Sequence, residues 1–483
     1  MNTLVIDVGT SGLRAAVVRD SGEVDRLHHE EFAPTSPAGG LVEFDARAMY
    51  TAVHRVCLAS MASDKIDAVG ITNQRASTVV WSASTGEPLS PAIGWQDLRT
   101  VGECIMARLE HGLAFAPNQS ATKLSWILKN TAAAHPTDDI RFGTVETWIV
   151  WNLTRGAHHV TDNSNAAVTG LTTASGTEWR SDVCGILGVP ASCLPRIVPT
   201  SGYVGDAVDL PGSPPIMAMV GDQQASLVGQ GCIEQGRAKI TFGTGGMLDM
   251  YTGTVAPTQA QRHQHGTFPI VAFSDATSIA YGIEAIMLSA GTNIEWLRDD
   301  LGLISSAAQS HDIASSCEST DGVVFVPALL GLGTPHWDYG ARGAIFGITR
   351  GTTRAHIVRA VLEGIAHRGA DLVDAAQADS GIDISDIRVD GGMSRNPTFV
   401  QALANATGRT IKVSALTEAT TLGAGFLAGT AAGQWSHLAS ATDTLRWATT
   451  VQPLGGAGVP RQQWSEAVER SRSWIPDLSA LDF

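Results

Sequence analysis

The chain opens on an apolar, β-rich run, TLVIDV, which stops at Gly9-Thr10-Ser11-Gly12, and the strand pattern resumes in RAAVV. Ser21-Gly22-Glu23 signals a further turn before a third strand. Residues 45–62 place Ala, Met, Val and Leu on one helical face, with Asp45 at the N-cap. IDAVGIT predicts a buried strand ending near Thr72, and SATKLSWILKN predicts a helix. The opening pattern returns in AKITFGTGGMLDMYTG, where Gly243-Thr244-Gly245-Gly246 echoes the first turn, which suggests duplication. Strand and helix alternate again in ISDIRVDGG, a helix from about Pro397 to Thr407, TIKVSAL and a Gly/Ala-rich helix. These patterns predict two α/β domains with a cleft between them. The divide is expected just before VGDQQ, with Pro211-Gly212-Ser213-Pro214-Pro215 as the linker or loop signal. The expected parts are residues 1–217, residues 218–435 and a C-terminal extension, 436–483.

Composition narrows the function. At 483 residues, 44% apolar and 16% charged, the chain can bury large cores and is not disordered. The formal net charge of −15 disfavours nucleic acid and anionic membranes as partners. An anionic nucleotide stays possible, because backbone amides and helix ends bind phosphate in acidic proteins. The six Cys are scattered, with no C-x-x-C pair, and read as core thiols in a reducing compartment. MNTLVIDVG lacks a basic start and no apolar run reaches about 18 residues, so a cytoplasmic protein without a membrane span is expected.

The common nucleotide and metal fingerprints are missing: no G-x-x-x-x-G-K-[ST], no G-x-G-x-x-G at 243–248 and no H-E-x-x-H. The positive signal is the pair of Gly-Thr turns, whose amides and hydroxyls can cradle phosphate oxygens, although single Gly-rich hairpins are common. Asp7, at a strand end beside the first turn, either helps hold Mg²⁺ or caps the turn. Asp222, between an apolar run and a helix of small residues, either takes the proton of an attacking hydroxyl or caps that helix. Asp390 precedes Gly391 and Gly392, which let a flat ring approach the backbone or simply make a tight turn. Arg75 follows a buried strand and suits sugar hydroxyls, or pairs with an acid at the surface.

Many collinear segments carry a resemblance over nearly the whole chain. They include IDVGTSGLRAAVV, GITNQRASTVVW, IGWQDLRT, HVTDNSNA, GDQQASLVGQG, FGTGGMLDM, GTNIEWLRDDL, VFVPALLGLGTPHWD, ARGAIFGITRG and VDGGMSRN. In these the chain resembles the FGGY carbohydrate kinases, most of all their glycerol kinase branch. The resemblance implies two duplicated actin-like, hexokinase-type α/β domains, ATP with Mg²⁺, a small polyol or sugar as acceptor, and a homodimer or homotetramer. It casts Asp222 as general base and Asp7, with Asp222, as the Mg²⁺-placing residues. Thr10, Ser11 and Arg14 fall in the first phosphate loop, and Gly243 and Thr244 in the second. Gly291, Glu295, Gly392, Met393 and Asn396 fall where the family binds nucleotide, with Glu295 replacing a usual Gln. Arg75, Trp95, Asp222 and Gln223 align with the polyol pocket.

Three pocket positions depart from the branch. Ala76 stands where glycerol kinases have Glu, Asn118 where they have Tyr, and Met247 where they have Phe. Losing a charge-assisted hydrogen bond costs about 1.5–3 kcal/mol, and the smaller side chains free volume. The expectation is therefore an acceptor longer than glycerol, such as a tetritol, pentitol or ketose. The alternatives are a glycerol kinase with a remodelled pocket and, from another class, an actin-like nucleotide sensor without catalysis. AVDLPGSPPIM carries no basic residue, so inhibition by fructose 1,6-bisphosphate, which uses a basic loop there in some bacterial glycerol kinases, is not expected.

Overall fold

The protein is described here from a computed structural model covering residues 1–62, 64–415, 418–455 and 458–481. Leu416, the end of the TIKVSAL run, lies outside these residues, as do four positions of the 436–483 segment.

The first lobe is built on a six-stranded sheet. Its strands are β1 (Asn2–Val8), β2 (Gly12–Arg19), β3 (Val24–Glu31), β4 (Ala68–Asn73), β5 (Ser201–Asp206) and β6 (Pro215–Gly221), in the order β5-β6-β4-β1-β2-β3. The central strands β1 and β4 are parallel and, Asn2 apart, buried along their whole length, as strands covered on both faces must be, with polar residues such as Asp7, Thr72 and Asn73 gathered at their cleft ends. Helix α1 (Ala46–Met61) covers one face, and the Asp45 carboxylate caps it by accepting from the amides of Arg47 and Ala48 at 2.8 and 2.9 Å.

The second lobe repeats this plan in a seven-stranded sheet. Its strands are β7 (Ala238–Phe242), β8 (Gly246–Gly253), β9 (Phe268–Ser274), β10 (Ile279–Met287), β11 (Asp386–Asp390), β12 (Thr410–Ser414) and β13 (Trp447–Val451), ordered β9-β10-β8-β7-β11-β12-β13. Central β7 pairs antiparallel with β8 and parallel with β11, just as β1 pairs with β2 and β4. The echo of Gly-Thr turns is thus an echo of topology, with β9 as the added edge. The second core gathers under the long helix Arg354–Ser380 and the helix Pro397–Thr407.

Two helices fill the seam between the sheets. Helix α2 (Asp222–Gly229) follows β6, and α3 (Ala419–Ala431) returns from the second half to pack on β1, β4 and β6. A Cβ on Gly423 would sit 1.8 Å from the Ala225 carbonyl oxygen, so only glycine permits this close helix crossing.

Two boundaries differ from expectation. Pro211–Pro215 leads from β5 into β6, which pair antiparallel, so of its two readings, linker or loop, it is the loop, a turn within one sheet. A Pro/Gly cluster serves either purpose, and β-pairing decides between them. A divide at 217/218 would also cut β6, so the passage to the second lobe comes after α2. The segment from 436 onward is not an appendage either, since β13 pairs with β12 as the edge of the second sheet. No helix among the described residues is long and apolar enough to cross a membrane.

Candidate active site

The parallel strands β1, β4 and β6 end together at the cleft, bringing Asp7, Arg75 and Asp222 to one side of it. Asp222 is the first residue of α2. Its Oδ1 accepts from the Gln223 amide at 2.8 Å and faces the Arg75 Nε at 3.6 Å, leaving Oδ2 without a partner among the described residues. Burial raises its proton affinity above that of an ordinary carboxylate, and Arg75 partly opposes the rise. Asp7 is 3% exposed, and burial, with the charges of Asp222 and Glu418, pushes its pKa up to about 6 against the pull of Arg14.

A cavity of about 260 Å³ opens beside Asp222. Arg75, Ala76, Trp95, Asn118, Asp222, Gln223 and Met247 all line it, together with Thr10 of the first turn. Ala76 adopts a left-handed backbone (φ 62°), which helps turn the chain after Arg75. The Trp95 indole donates to Thr10 Oγ1 at 3.0 Å, tying the cavity wall to the first turn. Arg75 donates through Nη2 to Glu284 Oε2 at 2.6 Å, while its buried Nη1 has no partner among the described residues. An unpaired buried guanidinium nitrogen is costly unless an acceptor arrives, and a bound hydroxyl is such an acceptor.

A second cavity, about 640 Å³, lies in the other lobe. Gly243, Thr244, Gly291, Glu295, Gly392, Met393 and Asn396 all line it. The carbonyls of Gly243 and Thr244 accept from Gly291 and Ala290 amides at 2.9 and 2.8 Å, fixing the second turn against the next helix. Gly391 has φ +83° and a Cβ there would meet the Phe242 carbonyl at 2.3 Å, so glycine is required. Asp390 turns inward instead and accepts from Ser226 of α2 at 3.0 Å. Arg14 reaches a third cavity, shared with Gly391 and Gly392, which joins the first turn to the second lobe. Ser11 sits exposed at the tip of the first turn and lines none of the three.

Sequence reasoning missed four charged residues around the cavity. Glu284 on β10 lines it, and Lys239 on β7 donates to Gln223 Oε1 at 2.7 Å. Asp249 on β8 lies 2.7 Å from Lys239. Lys123, fully buried and pushed down to about 7 by that burial, donates to the carbonyls of Gly94 and Trp95 at 2.9 and 2.8 Å and so holds the cavity wall. Lone charges inside apolar runs were the available signal.

Comparison with known proteins places this geometry. Residues 2–229 match the FGGY family of carbohydrate kinases, N-terminal domain, and residues 238–432 match the C-terminal domain of that family. A glycerol kinase of Bordetella parapertussis is 40% identical over 98% of this chain and 97% of its own. One from Oceanobacillus iheyensis is 39% identical over 98% of both chains. The crystal structure of Plasmodium falciparum glycerol kinase with ADP superposes with a TM-score of 0.90 at 30% identity, covering 97% of this chain and 98% of that one. A xylulose kinase from Rhodospirillum rubrum shares the fold at TM-score 0.85 and 21% identity, covering 97% and 98%. The full-length likeness is to glycerol kinases, so it supports the remodelled glycerol kinase alternative better than an acceptor longer than glycerol. The chain belongs to the FGGY family of carbohydrate kinases, two-lobed ATP-dependent phosphotransferases that act on an alcohol group.

Proposed function

We propose that this enzyme transfers the γ-phosphoryl group of ATP to a primary hydroxyl of glycerol. The carrying observation is the small cavity lined by both Arg75, whose buried Nη1 has no partner among the described residues, and Asp222, whose Oδ2 likewise has none. Arg75 and Gln223 orient the acceptor's hydroxyls, and Trp95 supplies a flat apolar wall. Asp222 takes the hydroxyl proton on Oδ2 as the oxygen attacks; its raised proton affinity brings it closer to the working pH of a general base. The Gly-Thr turns offer amide donors to the phosphates, and Arg14 adds a positive charge beside them. Asp7, destabilised as an anion by burial and further by Asp222 and Glu418, fits a divalent cation, and with Asp222 would hold Mg²⁺. When bound, Mg²⁺ neutralises charge on the triphosphate. Lobe closure over the acceptor excludes water.

A second reading rests on Ala76, Asn118 and Met247, which all border the cavity. It is an acceptor of four or five carbons. A coupled assay over glycerol, tetritols, pentitols and ketoses separates the two. Saturation by glycerol at sub-millimolar concentration supports the first, a longer polyol with at least tenfold higher kcat/KM supports the second, and no turnover with any rejects both. The homodimer or homotetramer implied by the resemblance belongs to the same proposal and is read by analytical ultracentrifugation.

A further inference from the structure

A row of buried charges crosses the second sheet directly behind the acceptor cavity. Lys239 on β7 is the cross-strand partner of Asp249 on β8, and Asp249 is that of Glu284 on β10. Lys239 and Asp249 are 0% exposed and Glu284 is 6% exposed. Ile283 and Ala285, on either side of Glu284, join the core beneath the helix Arg354–Ser380, so alternation turns Glu284 to the cleft face. On its other flank Glu284 faces Phe268 of β9, which is uncharged. From the first lobe, Arg75 meets it at 2.6 Å, and Asp222 stands behind Arg75 at 3.6 Å.

Such a row is a poor way to stabilise a core. Carboxylates directly opposite each other on antiparallel strands repel, and buried ions rarely repay their desolvation. Its two ends, however, each grip an acceptor-facing side chain. Glu284 fixes Nη2 of Arg75, so the guanidinium plane can offer Nη1 only in one direction. Lys239, which has only protons to give, forces the carbonyl oxygen of Gln223 toward itself at 2.7 Å. The Gln223 amide is left with only donors for the cavity. Both acceptor ligands are thereby set as donors, matched to hydroxyl oxygens whose protons go elsewhere.

We propose that Lys239, Asp249 and Glu284 form a positioning device in the second lobe that orients Arg75 and Gln223 of the first, so that the acceptor site is complete only when the lobes meet. This rests on the acceptor reading of Arg75 and Gln223. Asp249 acts by anchoring Lys239 and by setting the charge of Glu284. Burial and the neighbouring Asp249 push Glu284 up to about 7, against the opposing pull of Arg75. Protonation of Glu284 removes the ion pair, so grip on the acceptor weakens as pH falls through neutrality.

The test is steady-state kinetics on the full chain with glycerol and ATP from pH 6 to 8.5, for the wild type, Glu284→Gln and Asp249→Asn. Wild-type KM for the acceptor is expected to rise several-fold below about pH 7, with KM for ATP flat. Glu284→Gln is expected to raise acceptor KM at least tenfold, to change kcat less than threefold, and to abolish that pH dependence. Asp249→Asn is expected to shift the acid limb to lower pH by at least half a unit, which a merely structural residue would not do. An acceptor KM that is flat with pH in the wild type overturns the proposal whether or not the variants fold. So does a Glu284→Gln enzyme with wild-type acceptor KM. If the wild type phosphorylates none of the acceptors, the function reading itself has failed and this inference falls with it; turnover by the wild type alone tells the two failures apart.

Discussion

In the first lobe the rung Thr72–Asp7–Arg14 ends beside the Gly9–Gly12 turn; in the second the matching rung is Asp390–Thr241–Met247. The strands pair in the same order, yet the central strand carries a carboxylate in one lobe and a hydroxyl in the other. The turns differ as well. Gly9 and Gly12 close on each other by a 2.9 Å hydrogen bond around Thr10-Ser11, whereas Phe242 and Gly246 pair around three residues. The first lobe thus gathers acids and Arg75 at its strand ends, where the proposed function has a proton removed. The second presents Gly243, Gly391 and Gly392, backbone to which the same proposal brings the nucleotide. One scaffold occurs twice, and on the proposed function its strand ends divide the labour between acceptor and nucleotide.

The comparison breaks first at Asp222. Asp222→Asn should keep the fold and the binding of Mg²⁺-free nucleotide while kcat falls about 10²–10⁴-fold, the range expected for a lost general base. Equal loss in nucleotide affinity would mean that the residue serves both lobes alike. Next comes Arg75→Ala, which removes the donor of the unpaired Nη1 and strands Glu284. Its kcat/KM for the acceptor should fall about 10²-fold, with KM for ATP moved less than threefold.

Asp7 sharpens the contrast with Thr241, because its charge costs stability. Its pKa rises from 3.8 to about 6 in the folded chain, so between those values the folded state binds more protons than the unfolded. Stability drops as pH rises through that window and stays lower above it. Asp7→Asn should therefore raise the apo melting temperature at pH 7.5, by on the order of 1–3 kcal/mol of stability, while lowering kcat and raising the Mg²⁺ requirement. A lower melting temperature would contradict the assigned strain. The smallest effect is expected in the second lobe. Gly391→Ala forces a side chain to φ +83° and into the Phe242 carbonyl. It should cost about 1–3 kcal/mol and weaken ATP more than glycerol, read by calorimetry.

Much of this plan was legible in the chain. β1, its turn and β2 followed from β-rich apolar runs interrupted by Gly-Thr, and the helix Pro397–Thr407 from its Pro start and apolar face. The family motifs named Arg75, Trp95 and Gln223 on the first cavity and Gly243, Glu295 and Asn396 on the second, but also Asp7 and Ser11, which line neither. Pro211–Pro215 left linker and loop open because turn chemistry is local while strand pairing is not: the same five residues suit either until β5 finds β6. Glu284, Asp249 and Lys239 stayed hidden for a related reason. Each is a single charge in an apolar strand, and only register places the three in a row and only the second lobe's approach sets Glu284 against Arg75. Sequence spacing carries no sign of contacts between residues 75 and 284.

The most direct measurement is a phosphoryl-transfer assay with glycerol and ATP, run in parallel with nucleotide titration, on the wild type and Asp222→Asn. The account predicts glycerol phosphate formation by the wild type, its loss by at least a hundredfold in the variant, and the same affinity for ATP titrated without Mg²⁺ in both. Undiminished transfer by Asp222→Asn would contradict the role given to that carboxylate and with it the division between the lobes.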